Sequence, residues 1–453
     1  MLVKSLHNQI LCICITIFVY MYDVIYNDII KAPTVIPSHL LNHRVVETAN
    51  LIPKKLANAL LEDIKHDRSF PTNAQDTRFY KILHEHIGEA IDINEDGTCS
   101  HYLMVPNKDK TKCILPNRID IASHFMQSGG FNALKNEQAL MVSRILSFGR
   151  YHFNLTKKPI IAKLFQSKKF QQLAKNVCPK QKQILDPFQF NIIMQVPGQT
   201  VPVHIDGVYF FGATRFQFPQ WLLAVMKFSG LFEHIFINQI QVVGYLHQWT
   251  PTMETGGSFV YWNNDDLSKN TGIVQPLPRA GTGVDGSKVV HAANVYRPNE
   301  MPPRISKDKS SELYYVGDDK WVVREMDDPD NVLRNYTTND LRISIVYRGR
   351  CFASEEKAKL FNDNLHNHDN ALKLDDILNR LLQDLVNKNK ITQSSVDTMS
   401  RFEIAETLLK NYIRYPKSPT EISKFPFNYC IASVKFPFLK SILSPFCDSL
   451  ENE

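Results

Sequence analysis

The 453-residue chain has no pair of cysteines in CxxC spacing, although it holds eight cysteines in all. It therefore lacks the usual frame of a cysteine-held zinc site. It also lacks a nucleophile elbow and a phosphate-cradling glycine loop. Gly281, Gly283 and Gly286 have the GxGxxG spacing but not the strand-to-helix setting that gives it meaning, so hydrolase and nucleotide-binding readings lose their ground. The 52 Lys and Arg residues, against 46 Asp and Glu, are scattered rather than gathered into blocks, which speaks against a nucleic-acid partner. There is no internal repeat, no low-complexity tract, and no apolar run of the roughly 20 residues that span a bilayer as a helix.

The nearest approach to such a run is Ile10 to Tyr22, ILCICITIFVYMY, with Lys4 before it and Asp23 after it. This reads as a targeting segment. The residues that follow, Asp23 to Tyr26, are bulky or charged where a signal peptidase takes small ones. The expectation is an uncleaved signal-anchor, with the membrane as a partner through this segment and the body luminal or extracellular. Two sequons, Asn154-Leu155-Thr156 and Asn335-Tyr336-Thr337, agree with that compartment. So does the even set of cysteines outside the segment: Cys99, Cys113, Cys178, Cys351, Cys430 and Cys447.

Hydrophobic residues make up 43% of the chain and charged ones 22%, enough for a substantial core and more than one folding unit. Four regions are expected. Residues 1–35 form the cytoplasmic tip and signal-anchor. Residues 36–183 read as a helical cap, from Leu56, Leu60, Leu61 and Ile64 at helical spacing and the run from Ala139 to Phe148. Residues 184–353 carry β-branched and aromatic runs bounded by Gly, Pro and Asn: Phe188 to Val196, Gln241 to His247, Ser258 to Trp262, Ser287 to Ala292 and Leu341 to Arg348. These predict an antiparallel sandwich or jelly roll. Residues 354–453 return to helix, with a stripe of Leu374, Ile377, Leu378, Leu381, Leu382 and Leu385. A capping box at Ser400 and Glu403 opens a further helix that Pro416 stops. The fold class expected is α+β, with helical N- and C-terminal flanks.

Within VPVHIDGVYF, His204 and Asp206 stand two apart, and on a strand that spacing sends both side chains to one face. A non-haem Fe(II) centre needs two imidazoles and a carboxylate on one face, with positions left open for cosubstrate and dioxygen. His291, in GSKVVHAANVY on another predicted strand, supplies the missing imidazole. His234 and His247 lie in the same region and compete as ligands. Further along, a strand places Arg342 and Ser344 on one face, where a guanidinium and a hydroxyl converge on a carboxylate.

The order of these segments resembles the double-stranded β-helix of the 2-oxoglutarate and Fe(II)-dependent oxygenases, in particular the prolyl-hydroxylase-like branch. His204-Ile205-Asp206 is similar to the family's first two ligands. Thr255 to Tyr261 (TGGSFVY) is similar to its Gly-Gly strand, Gly286 to His291 to its distal-histidine strand, and Arg342-Ile343-Ser344 to its Arg-x-Ser. The resemblance covers Phe188 to Arg350. It implies a jelly-roll dioxygenase, acting as a hydroxylase on an unidentified substrate, with Fe(II), 2-oxoglutarate and dioxygen as cofactors and ascorbate as an optional accessory reductant. It also implies that Arg342 and Ser344 hold the 2-oxoglutarate, which would be converted to succinate and carbon dioxide. In the family the basic residue follows the distal histidine by about ten positions, whereas Arg342 follows His291 by 51 (342 minus 291). Arg297 therefore stays open as its rival, and Arg348 shares the parity of Arg342. The intervening Pro298 to Asp340, rich in charge and proline, is expected to be a surface excursion. Pro219 to Phe232 is an apolar stretch of helical length, expected to pack in the core, with a substrate-channel lid as the alternative. The competing class is a membrane-anchored, non-catalytic glycoprotein scaffold with a degenerate jelly-roll site.

Three weaker signals are expected to be bland. Asp92, Asn94, Asp96 and Gly97 open like a calcium loop, but Leu103 stands where a bidentate Glu is required. The pairs His84/His86 and His366/His368 sit in predicted helices, where residues two apart point to nearly opposite sides.

Overall fold

The computed structural model describes residues 36–72, 91–95, 105–106, 111–114, 143–153, 158–252, 254–263, 271–305, 309–365, 370–413, 415–416 and 436–439, with single positions 16, 20 and 441. Most of the Ile10 to Tyr22 segment lies outside these residues. So do the Asn154 sequon, both helical histidine pairs, and Asp96 and Gly97. Among the described residues no helix is long and apolar enough to cross a membrane.

The protein mixes helices with antiparallel sheets. The region before residue 184 contributes β1 (Val45–Thr48), β2 (Ser69–Pro71), β3 (Ile91–Asp92), β4 (Val105–Pro106), β5 (Lys112–Ile114) and β6 (Phe148–His152). The middle of the chain contributes β7 (Ile184–Gln195), β8 (Val201–His204), β9 (Gln239–Tyr245), β10 (Phe259–Trp262), β11 (Thr271–Val274), β12 (Gly281–Val284) and β13 (Val290–Ala293). Then come β14 (Ser311–Gly317), β15 (Lys320–Glu325), β16 (Val332–Thr337) and the long β17 (Arg342–Phe352). A six-stranded sheet has the order β1-β12-β9-β17-β7-β6, and a four-stranded sheet the order β11-β10-β13-β8. From β7 onward the chain passes repeatedly between these two sheets, so neighbouring strands within each are rarely consecutive in sequence.

Alternation along the strands decides which side chains meet the helices and which face the other sheet. On the larger sheet Phe190, Ile192, Met194, Ile240, Val242, Ile343, Ile345 and Tyr347 pack in one apolar core with residues of helices Lys54–Asp67, Pro159–Phe165 and Lys168–Val177. On the smaller sheet Val203, Val260, Trp262, Val290 and Ala292 join a second core with helices Gln220–Ser229, Leu374–Asn387 and Arg401–Tyr412. Both stripes expected from sequence in residues 54–67 and 374–387 are thus core stripes. Helix Gln220–Ser229 is buried from Trp221 to Phe228 and stops at Gly230, whose φ of 72° is the left-handed conformation of a helix C-terminus. With both outer faces sealed by apolar side chains, the polar residues of alternate parity are left between the sheets.

Two expectations need correction. The region 36–183 is more than a helical cap: β1 and β6 form the two edges of the larger sheet, and Phe148, read as the end of a helical run, begins β6 and pairs with Met194. A short apolar run does not reveal its period when its partner strand lies 46 residues away (194 minus 148). The Pro298 to Asp340 stretch is not a loose excursion either. It folds as the meander β14, β15 and β16, completed by β2 from far upstream. The fully buried Trp321 anchors it against Phe70 and Tyr315, with ring centroids 6.1 and 4.9 Å away.

A disulfide joins Cys178, just past the end of helix Lys168–Val177, to Cys351 near the end of β17, with Cα atoms 5.8 Å apart. It closes a loop of 173 residues and ties the N-terminal helices to the strand that carries Arg342 and Ser344. Cys113 is also disulfide-bonded.

Candidate metal centre

His204 ends β8, and its Cα partner across the ladder on β13 is His291. A directly opposed pair presents both rings to the same face, and their centroids lie 4.4 Å apart. Asp206, two residues beyond the strand end, brings Oδ1 to 3.7 Å from His204 Nε2. One ligand atom from each of the three residues falls within 4.8 Å of the others, and all three side chains are buried.

Backbone carbonyls settle which ring nitrogen is free. His204 Nδ1 donates to Pro202 O at 2.7 Å, and His291 Nδ1 donates to Val289 O at 2.8 Å. A carbonyl only accepts, so each Nδ1 carries hydrogen and each Nε2 keeps its lone pair for an ion. Burial, with His204 alongside, pushes His291 down to about 4, which keeps that imidazole neutral near pH 7. Burial alone would raise the Asp206 carboxyl. The Arg348 guanidinium and the two imidazoles overcome it and hold the carboxyl well below the usual carboxylate range. Two neutral imidazoles and one carboxylate on a shared face, in a buried space between sheets, fit a non-haem Fe(II) ion with positions left open.

Gly286 makes room for the carboxylate. A Cβ there would stand 2.0 Å from Asp206 Oδ2 and 3.2 Å from His291 Cε1, and the Gly286 carbonyl accepts from the Asp206 amide at 2.7 Å. The glycine that mimics a nucleotide loop in the sequence is here part of the wall of the candidate metal site.

Arg342 lies at the other end of the inner face, at the start of β17. Its Nε donates to Gly257 O at 2.9 Å and its Nη1 to Gln195 Oε1 at 2.8 Å, and the guanidinium lies 5.2 Å from the Tyr245 ring centroid. It is only 5% exposed, and no carboxylate among the described residues pairs with it. Burial lowers its pKa, while Tyr245 and Tyr296 raise it. Close by, Gln195 Nε2 and the Tyr296 hydroxyl are buried without a hydrogen-bond partner among the described residues. Ser344, on the same face, is buried and donates to Ile193 O at 3.3 Å. A desolvated guanidinium among unused polar atoms fits the distal carboxylate of a bound oxo-acid.

The rival Arg297 is placed differently. It pairs with Asp340 at 2.9 Å and Glu300 at 3.6 Å and is partly exposed, so its charge is already met. His234 is exposed and His247 stands apart from the triad. The His247 Nε2 bonds Pro276 O at 2.7 Å, its ring stacks on Trp249 at 3.8 Å, and burial pushes it down to about 3. Arg348, marked in the sequence only by its parity with Arg342, donates instead to Asp206 Oδ1 at 2.6 Å. Strand parity was the signal for its face. Which ligand it reaches depends on where β8 ends, and that is a long-range feature.

No family profile and no curated protein matches this chain. Among solved structures it is similar to a Pseudomonas putida prolyl-4-hydroxylase, with 9% identity over 68% of this chain and 93% of that one and a TM-score of 0.29. It is also similar to a Trichoplax adhaerens prolyl hydroxylase in complex with a hypoxia inducible factor oxygen degradation domain peptide fragment, with 8% identity, 74% and 94% coverage and a TM-score of 0.30. A third is HygX from Streptomyces hygroscopicus with nickel and 2-oxoglutarate bound, with 7% identity, 73% and 84% coverage and a TM-score of 0.30.

Proposed function

We propose that the chain is a 2-oxoglutarate and Fe(II)-dependent dioxygenase built on a double-stranded β-helix, acting as a hydroxylase on a substrate still to be identified. His204, Asp206 and His291 hold the iron, and Arg342 and Ser344 hold 2-oxoglutarate. One observation carries the reading: a converging, buried His/Asp/His triad, and on β17 a buried arginine that pairs with no carboxylate among the described residues and shares its strand face with Arg348, which reaches Asp206. When bound, iron and 2-oxoglutarate would supply dioxygen activation, with succinate and carbon dioxide as co-products. The protein's own share is to keep the Nε2 atoms free and hold Asp206 ionised.

Purified protein supplied with Fe(II), ascorbate and 2-oxoglutarate should form succinate, slowly without substrate and faster with it. It should also bind Co(II) and 2-oxoglutarate stoichiometrically. Failure to bind either would leave the alternative, a non-catalytic barrel. The body is assigned to the secretory pathway, anchored by residues 1–35. The buried Cys178–Cys351 disulfide and the exposed Asn335 of the second sequon support that placement. Glycosidase digestion of protein expressed in secretory cells tests it, with a mobility shift expected.

A further inference from the structure

Asp206 is gripped more closely than a lone metal ligand needs to be. Oδ1 accepts from Arg348 Nη2 at 2.6 Å, Oδ2 lies against the space that Gly286 leaves open, and the Asp206 amide is fixed to the Gly286 carbonyl. Arg348 reaches it from the facing sheet: β17 belongs to the larger sheet, while Asp206 follows β8 of the smaller one. Asp206 is the one carboxylate among the described residues that pairs with Arg348. Behind it, Gln241 is the cross-strand Cα partner of Arg348 on β9. Among the described residues neither Arg348 Nε nor Gln241 Oε1, both buried, has a hydrogen-bond partner, so the orientation of the guanidinium is set by Asp206.

We infer that Arg348 is a positioning residue: it holds one oxygen of Asp206 across the two sheets so that the carboxylate meets the ion in a single orientation. This rests on the metal-centre reading above. A guanidinium beside a divalent ion is a cost in charge, and that cost is offset only if the geometry of the carboxylate is worth more. Partners that orient metal ligands commonly contribute about 10- to 100-fold in metal affinity. The planar fork of arginine fixes an angle that the single ammonium of lysine does not. Arg348 therefore sets both the tightness of the site and the coordination of Asp206, and substituting it changes the ion's spectrum as well as its affinity.

The test titrates Co(II) into the full chain and follows the visible d–d absorption of the bound ion, for the wild type, Arg348→Met and Arg348→Lys. The wild type should bind one ion. Arg348→Met should weaken binding by about tenfold and shift the band as the freed carboxylate changes its mode of contact. Arg348→Lys keeps charge, stem and one donor; it should recover most of the affinity but not the wild-type band. A role confined to folding would lower the thermal midpoint of the variants and leave the band of the bound ion unmoved, which would overturn the inference. So would wild-type affinity and spectrum in Arg348→Met or, if that variant does not fold, a wild-type spectrum in Arg348→Lys. If the wild type bound no Co(II), the metal-centre reading itself would fall, and this inference with it.

Discussion

Arg342 and Arg348 lie on one strand and one face, six residues and about 20 Å apart along the backbone, yet the protein treats them in opposite ways. Arg348 is partly exposed and meets a carboxylate at 2.6 Å. Arg342 is buried and, among the described residues, meets neutral groups: a carbonyl, a carboxamide and the ring of Tyr245. Removing a full charge from water without a counter-charge is costly, and a protein that does so at one end of a strand while pairing the other end has assigned them different tasks. The paired arginine meets a carboxylate that the protein itself supplies. On the proposed function, the unpaired one is the arginine that receives the carboxylate of 2-oxoglutarate.

The largest effect should come at the ligand end. His204→Ala removes one of two opposed imidazoles, so stoichiometric Co(II) binding and succinate formation should both fall below detection. Retained binding would mean that the triad is not the metal site. At the other end, Arg342→Ala should raise the dissociation constant for 2-oxoglutarate by roughly 30-fold or more, since truncating one partner of a buried charge pair costs about 2–5 kcal/mol. Co(II) affinity should be unaffected. Arg297→Ala, which breaks a partly exposed pair, should move 2-oxoglutarate binding by less than about threefold. If the two arginine variants exchanged these outcomes, the contrast between the paired and the unpaired arginine would be lost.

Much of this contrast was legible before any fold was known, because the period of a strand is local. His204 with Asp206, and Arg342 with Ser344, each need only alternation over three residues to share a face. His291 needed more, the order of several strand-like segments, and the structure seats it directly opposite His204. What could not be read depends on partners distant in sequence. β6 becomes a strand because β7 offers it an edge, and the 298–340 stretch becomes a sheet because Phe70 and β2 complete a pocket for Trp321. Composition alone, rich in charge and proline, pointed to a loop. The contact of Arg348 with Asp206 was hidden for the same reason: it joins two sheets, and parity says which way a side chain points but not what it meets.

Without metal the two ends respond to acid in the same direction. His291 at the metal end is pushed down to about 4 by burial and by His204, and His247 beyond Tyr245 is pushed down to about 3 by burial. Both are depressed from an ordinary value near 6.5, so between pH 6.5 and those values the unfolded chain holds more protons than the folded one. Stability should therefore be complete above about pH 6.5 and decline as the pH falls toward 4, by on the order of 2 kcal/mol per histidine at pH 4.5. Urea unfolding of chelator-treated protein at pH 7.0, 5.5 and 4.5 measures the loss. His247→Phe should remove its share. Loaded metal should steepen the loss by adding its own proton competition at His291, which separates the two ends.

Two glycines, one at each end, give effects that should each be confined to one ligand. Gly286→Ala places a methyl 2.0 Å from Asp206 Oδ2, so the carboxylate must turn, and Co(II) affinity should fall by about tenfold with 2-oxoglutarate binding little changed. Gly257→Ala meets a softer obstacle: its Cβ would lie 3.1 Å from Arg342 Cδ, part of a flexible side chain. The cost there is mainly in the backbone, since Gly257 has φ of 70°, where an alanine is strained by about 1 kcal/mol. Gly257→Ala should therefore lower the unfolding free energy by about that amount and weaken 2-oxoglutarate a few-fold through the displaced guanidinium, leaving Co(II) binding as it was. A variant at either glycine that weakened both ligands equally would mean that the two ends act as one site, and that the division of labour between Arg342 and Arg348 is false.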